Sequence, residues 1–180
     1  VERASTYLRS LLRKLRSQPS LHAYALYSLS LVKNIPPGEI NFSLRHLEKL
    51  NAYGMALLGL ASHNAGDKHT ATFVLRKLNG RLKVDLQGHS FVQGRGTLRG
   101  WSQDGVEATA VALRAFVQTG LFQEKWIGMT QWLLAQRQGG RWRSTRDTAQ
   151  AILSLSSYVG AAGKTEKEQE KLAFWLDGKR

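Results

Sequence analysis

The sequence predicts an all-α fold of stacked helical hairpins in which inner and outer helices alternate. Three observations carry the prediction: a short apolar signature recurs four times, one-sided basic helical patterns lie between its copies, and helix starts and stops fall at the boundaries these patterns require. The copies are Ala25-Leu26-Tyr27-Ser28-Leu29, Ala56-Leu57-Leu58-Gly59-Leu60, Ala112-Leu113-Arg114-Ala115-Phe116 and Ala151-Ile152-Leu153-Ser154-Leu155, at intervals of 31, 56 and 39 residues. Each reads small, aliphatic, variable, small, large apolar. On a helix the first, second and fifth positions share a face, because i, i+3 and i+4 neighbours stack. The small residues let a neighbouring helix approach, and the large ones fill the space between. Self-similarity at such intervals is the mark of repeated helical hairpins.

The helices between the copies are more basic and more one-sided. Leu8, Leu11, Leu12 and Leu15 form one stripe, with Arg9, Arg13 and Lys14 elsewhere. Leu44, Leu47 and Leu50 form a second, Phe73, Val74 and Leu78 a third, and Trp126, Met129, Leu133 and Leu134 a fourth. A helix with charge on one side lies outside, whereas one rich in Ala, Ser, Gly and Leu is covered from several sides. Four hairpins follow, roughly residues 3–33, 42–64, 68–118 and 122–160.

The boundaries agree. Pro19 opens a helix where its missing N–H costs nothing. Pro36-Pro37-Gly38 separates the first two hairpins. Asp104 precedes Glu107 by three residues and Ser144 precedes Asp147 by three, the spacing of capping boxes or their Asp variant. Each is approached through Gly and Trp: Gly100-Trp101 and Gly140-Arg141-Trp142. The stretch from Arg81 to Arg99 resists a helical reading. Its Leu82-Lys83-Val84-Asp85-Leu86 alternation predicts a short strand followed by a Gly-rich loop, an insertion that accounts for the longest interval.

With 180 residues, 42% of them apolar, the chain can bury the core of one domain. No window approaches the roughly 18 uninterrupted apolar residues of a membrane span. Val1 falls inside a helical pattern, without a starting Met or signal peptide, so the sequence reads as part of a larger protein. Residues 1–163 are expected to form the helical domain. Residues 164–180 are expected to be a linker and the first, truncated strand of a following β domain. That strand is Lys171-Leu172-Ala173-Phe174-Trp175-Leu176, running into the turn signal Asp177-Gly178. At the other end, Tyr24, Leu26 and Leu29 are expected to be the most exposed signature residues, for want of a preceding hairpin.

A net charge of +13 raises nucleic-acid binding, with Arg95, Arg99, Arg137, Arg141, Arg143 and Arg146 on phosphates and Trp101 and Trp142 as stacking platforms. Against this, Lys and Arg recur on the exposed stripe of every hairpin and form no single groove, so no nucleic-acid partner is expected. Attraction to a membrane surface or an acidic partner fits the charge better. Catalytic constellations are missing. Without Cys there is no thiol nucleophile, no Cys-based zinc site and no disulfide. His22, His46, His63, His69 and His89 show no metal-ligand spacing, and His63 and His69 read as residues flanking a helix connection. No Gly-x-Ser-x-Gly elbow appears. Gln93-Gly94-Arg95-Gly96 lacks the ending of a phosphate loop. Asp104, Glu107 and Asp147 read better as caps than as acid–base carboxylates. No catalytic residue, cofactor-binding residue or metal ligand is therefore expected, and no cofactor.

Two segments resemble a known family. Asp104-Gly105-Val106-Glu107-Ala108-Thr109-Ala110-Val111-Ala112-Leu113 is similar to the helix start of the alpha-2-macroglobulin and complement family. Trp132-Leu133-Leu134-Ala135-Gln136-Arg137, Gly139-Gly140-Arg141-Trp142 and Ser144-Thr145-Arg146-Asp147-Thr148-Ala149 resemble the segment that follows it there. The likeness covers about residues 100–160. The earlier hairpins match in pattern, most like the bacterial members. Arg146 stands where the family usually has Gln and is expected to face outward.

The resemblance implies a thioester domain, an α/α toroid of which this chain would hold about four of six hairpins. The family's Cys-containing thioester motif is not in the sequence. It further implies a helical module of an exported protease trap, without enzymatic activity of its own and located in the bacterial periplasm or at the cell surface. Its partners would be proteases captured by the intact parent and β domains of the same chain, with a membrane tether on the parent compatible with the family. The alternatives are an α/α-toroid enzyme of the terpenoid cyclase, prenyltransferase or lyase kind, or a helical scaffold that binds an acidic partner. Cyclases need an Asp-rich motif and prenyltransferases a Cys/His/Asp zinc site, and neither is present.

Overall fold

The computed structural model describes residues 2–93 and 105–176, and of 164–176 the backbone alone. Among the described residues it is mostly helical, with eight α-helices and one two-stranded sheet. The elements run α1 (Glu2–Leu15), α2 (Pro19–Ser30), α3 (Glu39–Arg45), α4 (Ala52–Asn64), α5 (Lys68–Asn79), β1 (Leu82–Val84), β2 (Ser90–Val92), α6 (Val106–Thr119), α7 (Gln123–Ala135) and α8 (Thr145–Leu176). The helices alternate in type as expected, but α5 and α7 pack more extensively on the preceding α4 and α6 than on α6 and α8, so the expected hairpins 68–118 and 122–160 are not the tighter pairs.

Every signature copy lies on an even-numbered helix, and these helices pack in chain order: α2 on α4, α4 on α6, α6 on α8. The odd-numbered helices fill in beside them: α1 against α2, α3 against α2 and α4, α5 against α4 and α6, α7 against α6 and α8. Helices covered from several sides lose their polar face. In α4 every residue from Ala52 to Ser62 is buried, and in α6 every residue from Val106 to Val117. The small signature positions are small for a packing reason. A Cβ on Gly59 would stand 2.5 Å from Leu75 Cδ2 of α5, and ahead of the signature one on Gly54 would stand 3.0 Å from the Ser20 backbone of α2.

The even helices run parallel, since polar ties join like ends. At the N-terminal ends of α2 and α4, the Asn51 amide donates to Ser20 Oγ at 3.1 Å, and at their C-terminal ends Asn64 Nδ2 donates to Ser30 Oγ at 2.9 Å. Between α6 and α8, Arg146 bonds Glu107 and further along both helices the Ser154 hydroxyl donates to the Ala110 carbonyl at 2.5 Å, so these two also run the same way. Pro19 occupies the first turn of α2, and Gly38, at φ +80°, turns the chain into α3 after the two prolines.

Asp104 lies outside the described residues. Ser144 does cap α8: the Asp147 amide donates to Ser144 Oγ at 3.0 Å, and the Ser144 hydroxyl, in place of the backbone amide of a true box, donates to Asp147 Oδ2 at 2.8 Å. Asn51 and Asp67 cap α4 and α5 by accepting from the Gly54 and Thr70 amides at 2.8 and 2.9 Å. The side-chain and backbone hydrogen bonds from Thr70 hold the Asp67 carboxyl below its ordinary range. Asp67→Ala is expected to cost about 1 kcal/mol of stability, read as a lower denaturant midpoint at unchanged slope.

Several expectations are corrected. Residues 171–176 are the end of α8, not a strand. Their apolar residues are consecutive rather than alternating, and Glu, Lys, Gln, Ala and Leu upstream favour a helix strongly enough to carry it through Gly160 and Gly163. Leu26 and Leu29 are fully buried, because α1 and α4 enclose α2, and of the three residues named only Tyr24 is exposed. The exposed signature residues are instead Ile152 and Leu153 on α8. The helix expected over Leu44, Leu47 and Leu50 breaks after Arg45 into a 3-10 turn, Leu47–Lys49, where the His46 ring bonds the Phe42 carbonyl at 2.9 Å. Phe73 and Leu134 are exposed, and Leu75 and Trp132 take the buried positions beside them. The predicted strand has an antiparallel partner, with Leu82 opposite Val92 and Val84 opposite Ser90.

Candidate functional site

The second residues of α4, α6 and α8 are Tyr53, Glu107 and Arg146, and they form one cluster at the N-terminal ends of these helices. Parallel helices in sequence bring like positions together, so three residues far apart in the chain meet. Arg146 Nε donates to Glu107 Oε1 at 2.7 Å, and its guanidinium carbon lies 5.9 Å from the centre of the Tyr53 ring. Glu107 is 3% exposed. Burial and the nearby carboxylate push the Tyr53 phenol above its ordinary value, so it stays protonated. Burial opposes the charge of Arg146, yet Glu107 and Tyr53 outweigh it and hold the guanidinium above its usual value.

Two expectations change here. The N-cap of α6 is Gly105, which has no side chain to cap with, so Glu107 is the second helical residue and not the third of a box, and its carboxylate accepts from Arg146. Arg146 points at that partner and not outward. Asp147 is also buried and is held by Ser144.

The segments around the cluster lock it in place. The Trp142 indole N–H donates to the Leu133 carbonyl at 2.7 Å, and Arg137 lies over the Trp142 ring at 5.6 Å. Trp142 is therefore a core residue that offers no free face for base stacking, while Arg141 and Arg143 are exposed. Arg95, Arg99, Trp101 and the Gln93-Gly94-Arg95-Gly96 loop fall wholly or largely outside the described residues. The β-hairpin is tied to α6 through Thr109, whose Oγ1 accepts from the Val92 amide at 3.0 Å, and Phe91 stacks on Trp132 at 5.1 Å.

A second polar cluster joins α2 and α3 to Arg16, which follows α1, and its sole trace in the sequence is the polar His22 in a largely apolar helix. His22 is fully buried. Its Nε2 lies 3.0 Å from Glu39 Oε2, its Nδ1 lies 2.8 Å from Ser43 Oγ, and Arg16 Nη2 donates to Glu39 Oε1 at 2.8 Å. Because a carboxylate only accepts, Nε2 carries the proton and the Ser43 hydroxyl donates to Nδ1. The order resembles nucleophile, base and acid. However, Ser43 is 2% exposed inside a helix, so no substrate carbonyl reaches it. The cluster ties helices together.

Burial lowers the His22 pKa below 6.5, although Glu39 works against the shift. In acid the unfolded chain takes up a proton that the native site resists. Stability is thus full above pH 6.5 and is expected to fall as pH drops through that value. Denaturant midpoints between pH 7.5 and 5 check this, and His22→Asn should flatten the profile.

Of the other histidines, His63 is partly buried at the end of α4, His69 is exposed in the first turn of α5, and His89 sits 3.2 Å from Asp85 in the β-hairpin. Among the described residues no three His, Asp or Glu side chains are grouped to hold a metal, and no helix is long and apolar enough to cross a membrane. No protein-family model matches this chain, and none of the curated proteins matches it either.

Proposed function

We propose that this chain is a helical, thioester-type domain of an exported alpha-2-macroglobulin-like protease trap, serving as a structural part of the trap with no active site of its own. The observation that carries the reading is that the two segments resembling that family interlock. Glu107 of the first pairs with Arg146 of the second at 2.7 Å, and within the second Trp142 bonds Leu133. In this reading the residues that carry the likeness have folding duties. The sequential packing of even helices, with odd helices beside them, supports an arc of an α/α toroid. The absence of cysteine suits an exported bacterial protein that does without disulfides. Proteases are then the partners of the whole trap, reached through its other domains.

A trap excludes large substrates sterically and leaves small ones accessible. The protein containing this chain, once cut by a protease, should suppress that protease on a protein substrate and spare its cleavage of a short peptide. Methylamine should add no mass to the chain itself. If both substrates are cleaved at full rate and the protein shows no conformational change after its own cleavage, the inhibitor reading fails.

A further inference from the structure

Arg114 is an almost fully buried cation for which the described chain supplies no anion. It is 7% exposed, its Nε is buried without a hydrogen-bond partner, and its guanidinium carbon lies 5.3 Å from the centre of the Tyr27 ring. No carboxylate among the described residues forms an ion pair with it. Of the buried polar side-chain atoms left unpaired among those residues, only this one belongs to a charged group.

The molecule contains the same device in completed form. Tyr53 and Arg146 are the second residues of α4 and α8, and α6 between them contributes its second residue, Glu107, as the carboxylate. Tyr27 and Arg114 are the ninth residues of α2 and α6, so this pair spans α4. The ninth residue of α4 is Leu60, and no residue of α4 from Ala52 to Ser62 is charged. A tyrosine ring beneath a guanidinium thus occurs twice among the described residues, and only the Tyr53–Arg146 pair has its acid.

We propose that Arg114, on its Tyr27 platform, receives the carboxylate of an acidic protein segment. A buried cation without a counter-charge is costly, and stacking on a tyrosine ring offsets only part of that cost. With one face of the guanidinium on the ring and Nε buried behind it, the outer end offers Nη hydrogens in the fork that a carboxylate matches with two hydrogen bonds. The +13 charge of the chain draws acidic segments toward it. This inference is independent of the protease-trap reading, and neither falls with the other.

The Arg114 Nε–H resonance of the isotopically labelled chain reads the contact directly. Titration with an oligoglutamate peptide and with glutarate should move it saturably, the peptide at the lower concentration. Glutaramide, which has the same shape without charge, should leave it in place, and inorganic phosphate should act more weakly than glutarate. Both carboxylate probes should raise the melting temperature of the native chain. Arg114→Met should melt no lower than the native chain, since an apolar side chain replaces an unpaired cation, and should lose the carboxylate-dependent rise. An unmoved resonance, an equal response to glutaramide, a stronger response to phosphate, or an undiminished rise in Arg114→Met would each overturn the proposal. A response to glutarate with none to the peptide would overturn the protein segment as its source.

Discussion

Replacing Phe116 by alanine is expected to remove about 3–5 kcal/mol of folding stability. Phe116 closes the third signature copy, is fully buried, and meets Phe122 edge-on with ring centres 4.9 Å apart. It lies on α6, which packs against α4, α5, α7 and α8, so no neighbour can move into the vacated space without giving up contacts elsewhere. The loss combines transfer of the ring from water with a cavity that collapses only in part. Phe116→Leu keeps most of the volume and should cost less than about 1.5 kcal/mol. Urea unfolding checks both, with the slope unchanged if the native state keeps its compactness. An alanine variant within about 1 kcal/mol of the native chain would mean that α6 is not the centre of the core.

Much of the fold was legible because its signals are local. Pro19, the Pro36-Pro37-Gly38 break and the four signature copies mark helices that the structure places as expected, since proline and glycine act on the backbone whatever surrounds them. The outer stripes were legible to within two residues. Phe73 and Leu134 were assigned inward by hydrophobicity, but the helix turns Leu75 and Trp132 inward instead. The strand expected at 171–176 came from Phe174 and Trp175, whose β preference reflects packing on a sheet that is not there.

The clusters were not legible, and two residue pairs show why. Asp104–Glu107 and Ser144–Asp147 have the same spacing, yet Glu107 is claimed by Arg146, 39 residues away, and Asp147 is held by Ser144, three residues away. A spacing rule describes what a side chain can reach locally, and a tertiary partner with the opposite charge outweighs it. His22 gave a weak hint, as a polar residue between Leu21 and Ala23 in a largely apolar helix. Its partners Glu39 and Ser43 come from another helix, and no pattern within α2 points to them.

The Glu107–Arg146 pair leads to the second large effect. Glu107→Ala is expected to cost about 3 kcal/mol, the lower end of what breaking a buried pair costs. The carboxylate side chain is 4% exposed and the Arg146 side chain 35%, so an abandoned guanidinium can turn partly to water and escape the full penalty. Tyr53 would still lie beneath it and retain a small attraction. Arg146→Ala should also be costly, because it leaves the deeper of the two charges without a partner. The double variant should cost less than the two single losses added together, with a coupling of about 1–3 kcal/mol. Raising the salt concentration should change that coupling little, because the carboxylate is shielded from solvent ions. Unfolding of the four proteins at two salt concentrations measures all of this. Additive losses would show that Glu107 and Arg146 stabilise their helices separately, and a coupling that vanished in salt would place the pair at the surface. Undiminished coupling would identify it as the clasp that holds α6 and α8 in parallel.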